Sequence, residues 1–283
     1  MSSINKIAVI GAGTMGSGIA HVFSQYGFSV ILVDSEQVFV ERGMSSINNN
    51  MDRQIKKGLI TPEKKNEFLI NIIPIIGHKN IDKNIDLTIE AISENKLAKL
   101  SLLKDLNDLL NTNCIIASNT SSISITELGK NIRSDRFIGM HFMNPVPVMQ
   151  LVELIRGYST SDETFNTIYE LSLKIGKKPV EVYDYPGFIS NRILMPMINE
   201  AIFALYEGVA KAEDIDTVMK LGMSHPMGPL TLADFIGLDV CLAIMEVLYD
   251  GFNDSKYRPC PLLKKMVNAG KLGRKTKKGF FEY

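Results

Sequence analysis

Lys6-Ile-Ala-Val-Ile-Gly11-Ala-Gly13-Thr-Met-Gly16-Ser-Gly18 is a short apolar run that passes directly into a glycine-rich turn and then into a helical pattern. This order suits a dinucleotide site. Gly11 lets the chain turn off the strand, Gly13 lets backbone approach a pyrophosphate, and Gly16 lets helix pack closely on strand, with Thr14 and Met15 between them also expected at the cofactor. The N–H groups and dipole at the helix start then attract phosphate.

The flanks support this reading. Ile19, Ala20, Val22 and Phe23 recur at helical spacing, Gly27 can close the helix, and Phe28 to Val33 reads as a buried second strand. Asp34 ends that strand about 20 residues after the glycines, where an acidic side chain holds the ribose 2′-hydroxyl. A carboxylate there repels a 2′-phosphate, so NAD(H) is expected and NADP disfavoured. In another α/β protein the same residues would be only a glycine turn and a helix-capping Asp.

The chain has 283 residues, enough for two domains of ordinary size. Its 45% hydrophobic and 22% charged residues describe a globular protein, and Lys+Arg 31 against Asp+Glu 31 gives no net charge. No global footprint for nucleic acid or a membrane surface results. Cys114, Cys241 and Cys260 are odd in number and far apart, which fits reduced thiols and no metal site. The N-terminal residues show no signal-peptide pattern, and no apolar run reaches the roughly 18 residues of a membrane span, so a cytoplasmic protein is expected.

Strand and helix alternate through the first part. A long polar-faced helix is expected from about Ser35 to Lys57, and strands at Ile72 to Ile76, Leu87 to Ala91, Ile115 to Ser118, Phe137 to His141 and Leu151 to Ile155. Such alternation predicts an α/β fold, a Rossmann-type, mostly parallel sheet covered by helices. Beyond the turn Asp184-Tyr-Pro-Gly187 the pattern becomes helical: Phe188 to Glu207, Ala212 to Leu221, Leu230 to Leu248 and Pro261 to Ala269. We therefore expect a dinucleotide-binding domain over 1–185 and an all-α domain over 186–283.

Four segments hold more polar residues than packing requires: Ser118-Asn-Thr-Ser-Ser122, His141-Phe-Met-Asn-Pro-Val-Pro147, Leu151-Val-Glu153 and Gly187-Phe-Ile-Ser-Asn-Arg192. In an open α/β sheet, ligands bind outside the carboxyl ends of the strands, where Ser118 and His141 stand. Alcohol oxidation needs a base for the hydroxyl proton, and a histidine, with an ordinary pKa of about 6.5, suits it. A carboxylate on the far ring nitrogen fixes the tautomer, and Glu153 on the next strand is the nearest downstream candidate. His21 in the first helix, His78 in a polar turn and His225 in a Pro-rich loop have no comparable setting.

With Gly11-Ala-Gly-Thr-Met-Gly16, Ser118-Asn-Thr-Ser-Ser122, Gly139-Met-His-Phe-Met-Asn-Pro-Val-Pro147, Pro186-Gly-Phe-Ile-Ser-Asn-Arg192, His225-Pro-Met-Gly-Pro-Leu230 and Gly273-Arg-Lys-Thr276, the chain resembles the L-3-hydroxyacyl-CoA dehydrogenase family along its whole length. Within it, the bacterial 3-hydroxybutyryl-CoA enzymes are most similar. The resemblance implies that His141 is the general base, Glu153 its orienting partner, and Ser121 and Asn191 the groups that bind the substrate oxygen. It adds Glu94, Lys99 and Asn144 on the cofactor side, with Lys275 reaching the cofactor from near the C-terminus. By pattern alone, Lys99 would be a solvated helix face.

An acyl-CoA brings phosphates. Arg53 and Lys57 are four apart on one helix face beside Lys56, and the resemblance places that helix near CoA; the same spacing also serves a solvated charged face. The family further implies a homodimer formed through the C-terminal helical domain. A dehydrogenase of a free hydroxy acid, gulonate or carnitine in type, and a non-catalytic NAD-binding protein are the alternatives.

Overall fold

The computed structural model describes residues 4–283. The chain divides into two compact units, the first ending at Asp184 and the second spanning Tyr185–Tyr283.

The first unit is built in chain order from β1 (Lys6–Ile10), α1 (Thr14–Gln25), β2 (Ser29–Asp34), α2 (Gln37–Lys56), α3 (Pro62–Ile70), β3 (Ile72–Ile76), β4 (Leu87–Glu90), α4 (Lys96–Leu109), β5 (Ile115–Ser118), α5 (Ile125–Gly129), β6 (Phe137–Phe142), β7 (Leu151–Arg156), α6 (Asp162–Lys174) and β8 (Lys178–Tyr183). The eight strands form one sheet in the order β3-β2-β1-β4-β5-β6-β7-β8. Pairing is parallel except between β6 and β7. Near-continuous apolar runs such as Ile7 to Ile10 and Val30 to Val33 are buried, as strands covered on both faces must be. This is the Rossmann-type arrangement. The sequence order reverses between β1 and β4, which puts the crevice for a ligand at the carboxyl ends of those strands.

Register fixes what meets there. Ile10 pairs with Glu90, Glu90 with Ser118, and Ser118 with Gly139 on β6, so the exits of β1, β4 and β5 stand in one row with His141 just beyond Gly139. Phe23 of α1 is fully buried and meets Phe28 and Phe142 edge-on, with centroids 5.5 and 6.5 Å apart. Each such ring contributes about 1.5–3 kcal/mol by burial, which anchors α1 against the sheet.

His21, on the same helix, is fully buried and aims Nε2 at the Gln54 side-chain oxygen, 3.3 Å away, while Nδ1 has no hydrogen-bond partner. That oxygen can only accept, so Nε2 carries a proton. Burial lowers the His21 pKa from its ordinary 6.5 to about 4, against a smaller opposing effect of the Gln54 hydrogen bond. Between those values the unfolded chain binds a proton that the folded chain refuses. Stability is therefore unaffected by this group above pH 6.5 and falls as pH drops from there toward about 4, at up to about 1.4 kcal/mol per pH unit. Thermal melts across this range should show a shallower slope for His21→Gln than for the parent; parallel curves would contradict the assignment.

The second unit contains α7 (Ser190–Tyr206), α8 (Ala212–Thr217), α9 (Pro229–Ile236), α10 (Leu238–Phe252) and α11 (Pro261–Asn268) around a core that includes Ile202, Leu230, Leu238, Leu248 and Leu263. The single helix expected over Leu230 to Leu248 is divided. Gly237 has φ +105°, outside the helical region, and turns the chain between α9 and α10. Two buried carboxylates organise the loops. Asp216 accepts from the backbone N–H of Leu230 and Thr231 at 2.8 and 2.9 Å, capping α9. Asp234 accepts from those of Phe280 and Phe281 at 3.0 and 2.9 Å, tying down the C-terminal residues. Among the described residues, no helix is long and apolar enough to cross a membrane.

Candidate active site

The glycine turn has the shape a dinucleotide requires. Gly11 has φ +105°, and its N–H donates to the Val33 carbonyl at 2.7 Å, which ties the turn to the end of β2. Gly13 caps α1 with no side chain of its own, and a Cβ there would meet nothing within 4 Å. Asp34 is held by the N–H groups of Ala12 and Ser35, each at 2.7 Å, so its carboxylate is fixed beside the turn. A cavity of about 820 Å³ opens over these residues, lined also by Phe39, Arg42 and Ala91 to Ser93. An open phosphate cradle, an uncapped helix start and an anchored carboxylate at one cavity fit NAD.

His141 and Glu153 face each other in the β6–β7 register, and directly opposed residues project to one face of a sheet. His141 Nδ1 lies 2.7 Å from Glu153 Oε2, with the carboxylate side chain fully buried and the ring nearly so. A carboxylate only accepts, so Nδ1–H is the donor and Nε2 becomes the nitrogen that can exchange a proton with a substrate. The two residues expected to form the acid–base pair are thus brought together.

Ser121 sits in the loop after β5. Its backbone N–H and its hydroxyl approach Glu94 Oε1 at 2.8 and 3.2 Å, and the Thr120 hydroxyl donates to the same oxygen at 2.6 Å. Partial burial opposes the Glu94 charge, yet the Lys99 ammonium together with the Thr120 and Ser121 donors prevails, and the carboxyl is held below the usual glutamate range. Lys99 is not a solvated side chain. It is buried, with Nζ 2.5 Å from Glu90 and 3.3 Å from Glu94.

Asn144 lies in the exposed turn between β6 and β7. Lys177 clamps that turn, donating to the carbonyls of Val146 at 2.5 Å and Met149 at 2.7 Å. Arg53 and Lys57 are exposed at the end of α2, where Arg53 reaches the Asn50 side chain at 3.3 Å. Asn191 and Lys275 belong to the second unit. Asn191 is buried in the first turn of α7, and Lys275 is paired with Asp239.

The 3-hydroxyacyl-CoA dehydrogenase NAD binding domain matches residues 6–185, and the 3-hydroxyacyl-CoA dehydrogenase C-terminal domain matches residues 187–283. The chain belongs to the 3-hydroxyacyl-CoA dehydrogenase family. A probable 3-hydroxybutyryl-CoA dehydrogenase of Bacillus subtilis is 54% identical over 99% of this chain and 98% of its own. The Clostridioides difficile 3-hydroxybutyryl-CoA dehydrogenase is 49% identical over 98% of this chain and 99% of its own. Among solved structures, (S)-3-hydroxybutyryl-CoA dehydrogenase of Ralstonia eutropha is similar with TM-score 0.96 and 50% identity, covering 99% of both chains.

As a 3-hydroxyacyl-CoA dehydrogenase, the protein carries site contacts that motif reading did not pick out. Asn119 accepts the Phe142 N–H through its side chain at 3.0 Å, joining the Ser121 loop to the strand that bears His141. Glu90 and Lys177 were also missed. Glu90 left a sequence signal, a charge closing the apolar run Leu87-Thr-Ile; Lys177 left none, because its partners lie about thirty residues away.

Proposed function

We propose that this chain interconverts short-chain L-3-hydroxyacyl-CoA and 3-ketoacyl-CoA, with 3-hydroxybutyryl-CoA and acetoacetyl-CoA as the pair. The carrying observation is the His141–Glu153 contact at 2.7 Å, on the sheet whose adjoining strand exits form the dinucleotide cradle. NAD, when bound, supplies the hydride acceptor for oxidation, and NADH the donor for reduction.

The chain's residues manage binding and the proton. Gly11, Gly13, Thr14, Met15 and Gly16 hold the pyrophosphate, Asp34 the ribose, and Glu94, Lys99, Asn144 and Lys275 the remainder of the cofactor. In the oxidising direction His141 Nε2 takes the hydroxyl proton, and Glu153 stabilises the imidazolium that results. In reduction the proton returns by the same path. Ser121 and Asn191 bind the substrate oxygen; the Ser121 hydroxyl proton, which faces Glu94 Oε1 at 3.2 Å, turns to that oxygen when substrate arrives, a contact that strengthens as the oxygen gains negative charge. Arg53 and Lys57 offer positive charge to CoA phosphates. The first domain thereby serves the cofactor and the proton transfer, and the second adds Asn191 on the substrate side and a homodimer contact, in a cytoplasmic enzyme that runs toward reduction.

Purified protein should consume NADH when given acetoacetyl-CoA. No consumption with acetoacetyl-CoA, alongside turnover of a free hydroxy acid, would overturn the reading; inertness toward both would favour a binding protein. Replacement Asp34→Ser should raise KM for NADH by about tenfold, through loss of a charged acceptor, and improve use of NADPH. An Asp34→Ser protein with unaltered cofactor preference would remove Asp34 from the ribose site.

A further inference from the structure

We propose that Glu90, which has no place in the proton path or the cofactor cradle above, is a positioning residue for Ser121, acting through Lys99 and Glu94. This inference rests on the reading that Ser121 binds the substrate oxygen. Glu90 is the last residue of β4 and fully buried. One of its oxygens accepts from Lys99 Nζ at 2.5 Å and from the Ile92 N–H at 2.8 Å; the other accepts from the Ser118 hydroxyl at 2.5 Å. It therefore joins β4, α4 and β5 where the Ser121 loop begins.

One ammonium lies between two carboxylates, and the division is unequal. Lys99 is 2.5 Å from Glu90 and 3.3 Å from Glu94 Oε2. Glu94 spends its other oxygen on the loop, where Oε1 receives Thr120, both donors of Ser121, and the N–H and hydroxyl of Ser122 at 3.2 and 3.3 Å. The Glu90–Lys99 pair is fully buried, where charge attraction is poorly screened, whereas Glu94 is partly exposed. If Glu90 becomes neutral, Lys99 turns to its remaining carboxylate and draws Glu94 off the loop. The backbone N–H groups of Ser121 and Ser122 then lose the carboxylate that places the loop. Glu90 also fixes Ser118, whose hydroxyl accepts the Thr120 N–H at 3.2 Å, so the loop is held from both sides.

A merely structural Glu90 would neutralise Lys99 for the fold and affect catalysis independently of Ser121. A kinetic cycle separates the two roles. Glu90→Gln should lower kcat by about tenfold, a size usual for coupled contacts, and should cost less than about twofold when added to Ser121→Ala. Glu90→Asp keeps the charge and should recover most of the lost kcat. Equal losses from Glu90→Gln in both backgrounds, or an unchanged kcat, would overturn the proposal. An unimpaired Ser121→Ala enzyme would instead overturn the reading of Ser121 itself. Should Glu90→Gln fail to fold, Lys99→Gln enters the same cycle, because it removes the ammonium through which Glu90 acts on Glu94; the same two outcomes then decide.

Discussion

Replacing His141 by Gln should lower kcat for acetoacetyl-CoA reduction by about a thousandfold, in the middle of the range for a positioned acid–base group. Gln keeps a donor for Glu153 but cannot gain and lose a proton near neutral pH. KM for NADH should change little, since the glycine turn and Asp34 lie on other strands of the sheet. A loss in kcat without a matching rise in KM is the mark of a group used in the transition state. Glu153→Gln should fall less far: the ring nitrogen remains, but an amide opposite Nδ1 no longer selects the tautomer that presents Nε2 to the substrate. His141→Gln turning over at the parental rate, with parental melting behaviour, would remove His141 from the proton path.

The parts of this site that could be read from sequence are those formed by neighbours in the chain. The glycine turn is local, and Asp34 follows one helix and one strand later, so spacing alone was enough. His141 and Glu153 are twelve residues apart on adjoining strands, still within reach of pattern reading. Lys99 shows where that reach ends. Its sequence surroundings suit a solvent-facing helix, but Glu90 and Glu94 converge on it only when β4 and α4 pack, and tertiary contact overrides the local pattern. The strand β8 was missed for a related reason: Lys178-Pro-Val-Glu-Val-Tyr183 contains a proline and several exposed residues, tolerable because β8 is an edge strand. Gly237 was visible, but its role as a break between α9 and α10 depends on a backbone angle that composition does not reveal.

Gly16→Ala should both destabilise the protein and disable the cofactor site, whereas Gly13→Ala should do only the second. A Cβ on Gly16 would lie 1.7 Å from the Gly11 carbonyl oxygen and 2.9 Å from its carbon. Backbone cannot step aside as a flexible side chain does. Gly11 is itself held by its bond to Val33, and its own missing Cβ faces the Ala91 oxygen at 2.5 Å. The helix is held too, by fully buried Ile19 and Phe23. Either the turn opens or α1 shifts, at about 3 kcal/mol of stability, which corresponds to a fall in melting temperature of about 10 °C for a protein of this size. Displacing the turn by an ångström should also lower kcat/KM for NADH by about a hundredfold. At Gly13 the added methyl meets no protein atom within 4 Å, and φ is −67°, which any residue adopts. The methyl points instead into the space a pyrophosphate would fill, so Gly13→Ala should weaken NADH binding while melting as the parent does. Equal melting losses in the two variants would mean that Gly13 is a packing residue, and parental NADH affinity in Gly13→Ala would mean that the cradle is not the phosphate site.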